Sequence, residues 1–277
     1  MPDWTGYAAY YADDGHTVTG DVLVCPDVYS PQLDNIRDIL VYLPPSYHHS
    51  TRSYPVLYMH DGQNLFDERT SFVGEWEADE TLDALSDDGI EAIVVGIPNM
   101  GDYRLDEYGP RHNPVLNMGG QGEAYLAFVC DTLKPLIDSH FRTRPTREHT
   151  GIMGSSMGGL ISVYAYSRYS AVFGLCGAMS PAFWFSGEQI FDFVAHGPLP
   201  PGRMYIDVGT QEIPRPGSRD VLLGLSSARY VADARRMRDL LYARGFEDLR
   251  YVEEEDAIHH ESAWARRLPA ALRFLLG

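Results

Sequence analysis

The stretch HTGIMGSSMGGLISVYAYSRY, residues 149–169, runs an apolar segment into Gly154-Ser155-Ser156-Met157-Gly158 and leaves through a helix-like run. A G-x-S-x-G pattern placed where a strand must become a helix is the sequence form of a nucleophile elbow. The glycines let backbone segments approach where a Cβ would not fit. The serine then stands at a helix N-terminus, where unpaired N–H groups favour developing negative charge. The competing reading is a glycine-rich turn with a structural serine, and the rest of the chain has to decide.

Outward from this segment, short β-branched runs alternate with helical patterns. Strands are expected over residues 16–28, 36–43, 55–59, 92–97, 149–153, 172–179, 204–208 and 249–253. Helices are expected over 75–85, 122–139, the run after the serine, 226–244 and 262–276, with Gly245 in the C′ position of the fourth. Such alternation predicts an α/β fold: a mostly parallel central sheet with helices on both faces and antiparallel N-terminal edge strands. No linker or repeat divides the 277 residues, so one domain over 1–277 is expected. Residues 98–120 and 180–202 are rich in Gly, Pro and aromatics, lack periodicity, and are expected to roof a ligand crevice at the strand ends.

Composition narrows the function classes. With 39 acidic residues against 22 basic ones, the formal charge is −17, which opposes binding to nucleic acid or anionic membranes. No segment approaches the ~18 consecutive apolar residues of a membrane span. The N-terminus lacks a basic start followed by an apolar block, so no signal peptide and a cytoplasmic location are expected. Cys25, Cys130 and Cys176 are far apart with no C-x-x-C pair, which predicts neither a disulfide framework nor a zinc knuckle. Nothing in the chain specifies an oligomeric state.

A serine hydroxyl needs a base, and the base an orienting acid, in the chain order Ser, Asp or Glu, His. Downstream of Ser156 the histidines are His196, His259 and His260. His259 follows the YVEEE strand at a strand-end loop, which makes it the expected base, with His260 in reserve. The acid is expected after the 204–208 strand: Glu212 lies on the loop, and Asp207, inside the strand, is the alternative. His259-His260-Glu261 could be read as metal ligands, but adjacent side chains of an extended chain diverge and no H-x-x-x-H is present. Neither a metal nor a cofactor is expected.

The blocks VLYMHDGQNLFD (56–67), GEWEADETL (74–82), GIMGSSMGGLISVYA (151–165), YIDVGTQE (205–212) and HHESAWARRLPAAL (259–272) together resemble the Putative esterase family, in its order, from about residue 17 onward. That family covers siderophore trilactone esterases of the enterochelin type, feruloyl and acetylxylan esterases, S-formylglutathione hydrolases and mycolyltransferases. The resemblance implies the α/β-hydrolase fold, Ser156 as nucleophile, and His259, the first residue of H-x-E-x-x-W, as base. It implies Glu212 as acid, although similar members use an Asp from the same loop region, and an oxyanion hole from the backbone N–H groups of Met157 and Gln63. The chain departs from the commoner H-N-E by placing His260 in the middle.

The expected partner is a small-molecule ester. Trp76, Tyr103, Tyr108, Phe183, Trp184 and Phe185 could wall an aryl acyl group, or they could fill the core. Arg104 and Arg111 could meet an anionic group. Trp76, Arg104, Tyr108 and Trp184 are the expected substrate contacts. A carboxylic-ester hydrolase ranks first, an acyltransferase of the mycolyltransferase type second, and an inactive binding module on the same fold third.

Overall fold

Alternation along each strand sorts its side chains onto two faces, and each face needs its own layer of helices. The structure, a computed structural model, describes residues 3–12 and 15–277, with Arg219 by its backbone alone. In chain order the elements begin with β1 (Thr5–Gly6), α1 (Tyr7–Tyr11), β2 (Asp21–Ser30), β3 (Asn35–Leu43), β4 (Val56–His60), α2 (Ala78–Ser86) and β5 (Ile93–Ile97). Next come α3 (Arg104–Tyr108), a small hairpin of β6 (His112–Asn113) and β7 (Met118–Gly119), α4 (Gly122–Ala127) and α5 (Lys134–His140). Then follow β8 (Thr150–Ser155), α6 (Met157–Arg168), β9 (Leu175–Met179), α7 (Glu188–His196) and β10 (Arg203–Gly209). The chain ends with α8 (Ser218–Leu222), α9 (Ser227–Ala243), β11 (Leu249–Glu254) and α10 (Glu261–Leu276).

Among the described residues, nine strands form one sheet in the order β1-β2-β3-β5-β4-β8-β9-β10-β11. From β5 through β11 every pairing is parallel, while β1, β2 and β3 pair antiparallel. This is the expected mostly parallel sheet with an antiparallel N-terminal edge. Ile39, Val41 and Tyr58 face one buried cluster with Leu126, Leu160 and Met237 of the helical layer on that side. Leu40, Tyr42 and Leu57 face the other, with Leu82 of α2 and Leu268 and Leu272 of α10. Cys25, Cys130 and Cys176 are buried free thiols. No helix among the described residues is long and apolar enough to cross a membrane.

Several boundaries differ from expectation. Residues 17–20 are not part of β2: the Thr17 N–H donates to Asp67, and those of Thr19 and Gly20 donate to Asp79, so this stretch is tied to the loop after β4 and to the first turn of α2 instead of a neighbouring strand. The run expected as one helix over 122–139 contains a π-helical stretch, Phe128–Leu133, between α4 and α5. Pro135 lies just beyond it and has no N–H to return to the preceding turn. The segments read as irregular hold short helices, α3 in 98–120 and α7 in 180–202. Tyr164 stacks on Phe193 at 4.3 Å, anchoring α7 to α6.

The first parallel strand exits into a tight loop whose Gly62 lies against the backbone of β5. A Cβ there would stand 2.5 Å from both Gly96 C and Ile97 N. We therefore expect Gly62→Ala to lower stability by about 3 kcal/mol or more. Gly6→Ala, with nothing within 4 Å of its added carbon, should stay within about 0.5 kcal/mol. Urea midpoints measure both, and equal midpoints would contradict the packing argument.

Candidate active site

β8 ends at Ser155, and Ser156 turns the chain with φ 55° and ψ −117°. A non-glycine residue occupies that region only under constraint. The Ser156 N–H donates to Met179 O at 2.9 Å, and its carbonyl accepts from Leu160 N at 3.1 Å and Ala182 N at 2.9 Å. A Cβ on Gly154 would come 2.9 Å from His60 Cδ2 and 3.0 Å from Gly158 Cα. Met157 is the first residue of α6, so its N–H has no acceptor a turn earlier.

Beyond β10, Glu212 is buried at 2 % exposure. One carboxylate oxygen accepts from Ser180 Oγ at 2.6 Å and from Gly209 N at 2.5 Å; the other lies 2.5 Å from His259 Nδ1. A carboxylate at Nδ1 keeps the ring proton there and leaves Nε2 as the acceptor. Burial pushes the Glu212 carboxyl up, but the donors from His259, Ser180 and Gly209 outweigh it and hold the group below its ordinary value. The His259 ring packs edge-on against Trp264 at 4.9 Å and lies 5.0 Å from Tyr230.

The remaining candidates go elsewhere. Asp207 is fully buried, and its two oxygens accept from Ser180 N at 3.1 Å and Arg267 Nε at 3.0 Å. Burial pushes its carboxyl up to about 6 against the pull of Arg267. His260 caps α10, its Nδ1 accepting from Ser262 N at 3.2 Å. His196 is exposed at the end of α7 and bonds Asp192 O. Ser180 joins the two acids: its hydroxyl donates to Glu212 and accepts from Trp264 Nε1 at 3.0 Å and Arg267 Nη2 at 2.9 Å. Every hydrogen-bonding capacity of that hydroxyl is used.

On the other side of Ser156 lies the loop after β4. Asp61 sits at φ 56° and ψ 45° and accepts a two-pronged ion pair from Arg104, at 2.7 and 2.8 Å. It also accepts from Asn99 Nδ2 at 2.7 Å. Burial opposes its charge, yet Arg104 and Asn99 hold the carboxyl below its usual range. The Asp61 N–H donates to Tyr108 OH at 3.1 Å, and Gln63 Oε1 accepts from Asn99 N at 3.1 Å. Gln63 is thus fixed in the short turn Gly62–Asn64, whose first N–H groups have no partner within it. Neighbouring His60 is buried and neutral, its pKa driven down to about 3 by desolvation.

Two clefts meet at Ser156 and His259. One, of about 490 Å³, carries the polar groups of Asp61, Gln63, Asn99, Arg104 and Glu261 beside the apolar surface of Phe72, Val73 and Trp264. The other, of about 330 Å³, is mostly apolar: Leu105, Leu116, Met157, Trp184, Ile213, Leu225 and Tyr230. Of the residues expected to contact substrate, Arg104 lines both clefts and Trp184 the second. Trp76 and Tyr108 do not line either. Trp76 is 2 % exposed and packs on Trp264, and Tyr108 is fully buried beneath the Asp61 loop, because large rings are drawn to the faces of the sheet. Phe183 and Phe185 are likewise buried, whereas Tyr103 is exposed. Arg111 lines a separate groove with Tyr164 and Gln189. Sequence reasoning missed Ser180, Tyr230 and the 213–225 segment, which contributes Ile213, Leu223 and Leu225 to the apolar cleft.

Away from this centre, Glu75, Asp79 and Glu80 bring one carboxylate oxygen each within 4.8 Å of one another. Burial raises Glu75 to about 7 and Glu80 to about 8.

A mostly parallel sheet of this order, with helices on both faces and a serine on the sharp turn after β8, is the arrangement of an α/β-hydrolase. The family model described as Putative esterase matches residues 30–275, and the chain belongs to that family. It is 27% identical over 250 residues to the Bacillus subtilis protein YbbA, covering 87% of this chain and 93% of that one. It is 23% identical over 156 residues to the siderophore enterobactin esterase of Emericella nidulans, covering 51% of this chain and 50% of that protein. An IroE-like serine hydrolase from Shewanella oneidensis shares its fold, with a TM-score of 0.72 and 21% identity over 92% of this chain and 80% of that one. So does the enterobactin esterase FES from Shigella flexneri, with a TM-score of 0.68 and 17% identity over 91% and 60%.

Removing the Ser180 hydroxyl takes one donor from a buried carboxylate. We expect Ser180→Ala to cost about 2 kcal/mol in urea unfolding. The folded-state pKa of Glu212 is depressed, so its contribution is present above the ordinary glutamate range and is lost as pH falls through the folded value. Ser180→Ala raises that folded value, so the acid loss of stability should begin at higher pH. An unshifted acid limb would show that Ser180 does not support Glu212.

Proposed function

We propose that the protein is a serine esterase in which Ser156 is the nucleophile, His259 the general base and Glu212 the acid that orients it. One observation carries this reading: Glu212 is fixed at 2.5 Å from His259 Nδ1, while His259 and Ser156 line the same two clefts. With Nδ1 engaged, Nε2 is the nitrogen free to take the Ser156 proton as Oγ bonds to the ester carbonyl carbon. The N–H groups of Met157 and Gln63 then receive the carbonyl oxygen as it becomes an oxyanion. One such donor is worth about 3 kcal/mol of transition-state stabilisation. His259 returns the proton to the leaving alkoxide. Water, deprotonated by the same imidazole, then releases the acid and restores Ser156.

The clefts suggest how a substrate divides. The cleft walled by Leu105, Leu116, Trp184 and Tyr230 suits the acyl group, aryl or short alkyl, and the one that carries Asp61, Gln63 and Asn99 suits an alcohol with hydroxyl groups. Their sizes match a small or medium ester. Siderophore, aryl and carbohydrate esters all fit that description, and the relatives named for enterobactin support the first of these.

Ser156→Ala should abolish p-nitrophenyl acetate turnover and leave the melting temperature within a few degrees. Appreciable residual turnover would remove Ser156 from the role. Glu212→Gln should lower kcat by about 10³-fold or more, and Asp207→Asn by far less, because the oxygens of Asp207 are committed to Ser180 and Arg267. The reverse order would move the acid to Asp207.

A further inference from the structure

We propose that Tyr230 is a further catalytic residue: its phenol donates a hydrogen bond to Ser156 Oγ and stabilises the charge that oxygen takes on as it leaves the acyl-enzyme. This rests on Ser156 being the nucleophile. Tyr230 occupies the first turn of α9 and is 5 % exposed. Its oxygen accepts from Trp184 Nε1 at 2.8 Å, and its ring lies 5.0 Å from that of His259. Tyr230 and Ser156 line the apolar cleft together.

A buried phenol has one proton to place. The indole occupies a lone pair of its oxygen, which leaves the phenol's own proton to be donated into the cleft it shares with Ser156. Burial and the charge of Glu212 raise the phenol's pKa, so it remains a donor throughout the working range of an esterase. Donation by the indole polarises the phenol and strengthens its own donation in turn.

The contribution falls unequally on the two halves of the cycle. In acylation, Ser156 gives its proton to His259 while Oγ bonds to carbon, and charge is carried away by the alcohol. In deacylation, water has added to the acyl carbon and given its proton to His259. The carbon–Oγ bond breaks, the electron pair stays on Oγ, and His259 returns the proton to it. Only here is Oγ the leaving group, and a donor already aimed at it lowers that barrier.

Stopped-flow hydrolysis of p-nitrophenyl acetate separates the halves. Tyr230→Phe keeps the ring and should release close to one equivalent of nitrophenol in a fast phase, followed by a steady rate about 10- to 100-fold below wild type. The fast-phase rate constant should stay within about 3-fold of wild type. Trp184→Phe should change the steady rate in the same direction by less. Equal slowing of both phases, or an unchanged steady rate at an unchanged melting temperature, would overturn the role. Turnover surviving in Ser156→Ala would instead overturn the underlying reading, independently of the Tyr230 result.

Discussion

The backbone of Ser156, held at φ 55° and ψ −117°, is the constraint from which the rest of the molecule follows. A residue there costs about 1–3 kcal/mol and persists only where its surroundings leave no alternative. They leave none. Its N–H is bonded to Met179 at the end of β9 and its carbonyl to Ala182 just beyond, while Gly154 and Gly158 remove the carbons that would block the bend. The parallel register of β8 with β9, pairing Ser155 with Met179, sets the height at which this happens. The serine is thereby lifted to the C-terminal edge of the sheet, where the loops after β4, β10 and β11 also end.

A second constraint is the buried polar network at that edge. A carboxylate with 2 % exposure in a chain of net charge −17 would be expensive without donors. Glu212 has three, and Ser180 passes on the influence of Trp264 and Arg267 from α10. α10 therefore does more than cover a face of the sheet. Through Arg267 it neutralises Asp207, through Trp264 it supports the His259 ring, and it starts directly after the His259–His260 pair. The same helix thus sets the fates of both acids and both imidazoles.

Much of this was legible in the sequence because it depends on local chemistry. Strand and helix alternation follows from hydrophobic period, and the bend at 154–158 from glycine placement. Glu212, on a loop after a strand, stood apart from Asp207, whose place inside the strand points it at Arg267. What stayed hidden depends on distant partners. Tyr230 reads as an ordinary apolar position of α9, and only the fold sets it beside Trp184 and Ser156. Ser180 carries no motif. Trp76 and Tyr108 read as binding aromatics because composition cannot tell a wall from a core. The π-helical stretch before Pro135 breaks a period that the sequence shows as continuous.

The most direct measurement is a crystal structure of the protein inactivated by a fluorophosphonate. The account predicts phosphorus bonded to Ser156 Oγ, its phosphoryl oxygen within hydrogen-bond distance of the Met157 and Gln63 N–H groups, and His259 Nε2 facing the adduct with Glu212 still on Nδ1. Phosphorus on another side chain, or a phosphoryl oxygen turned away from both N–H groups, would contradict it.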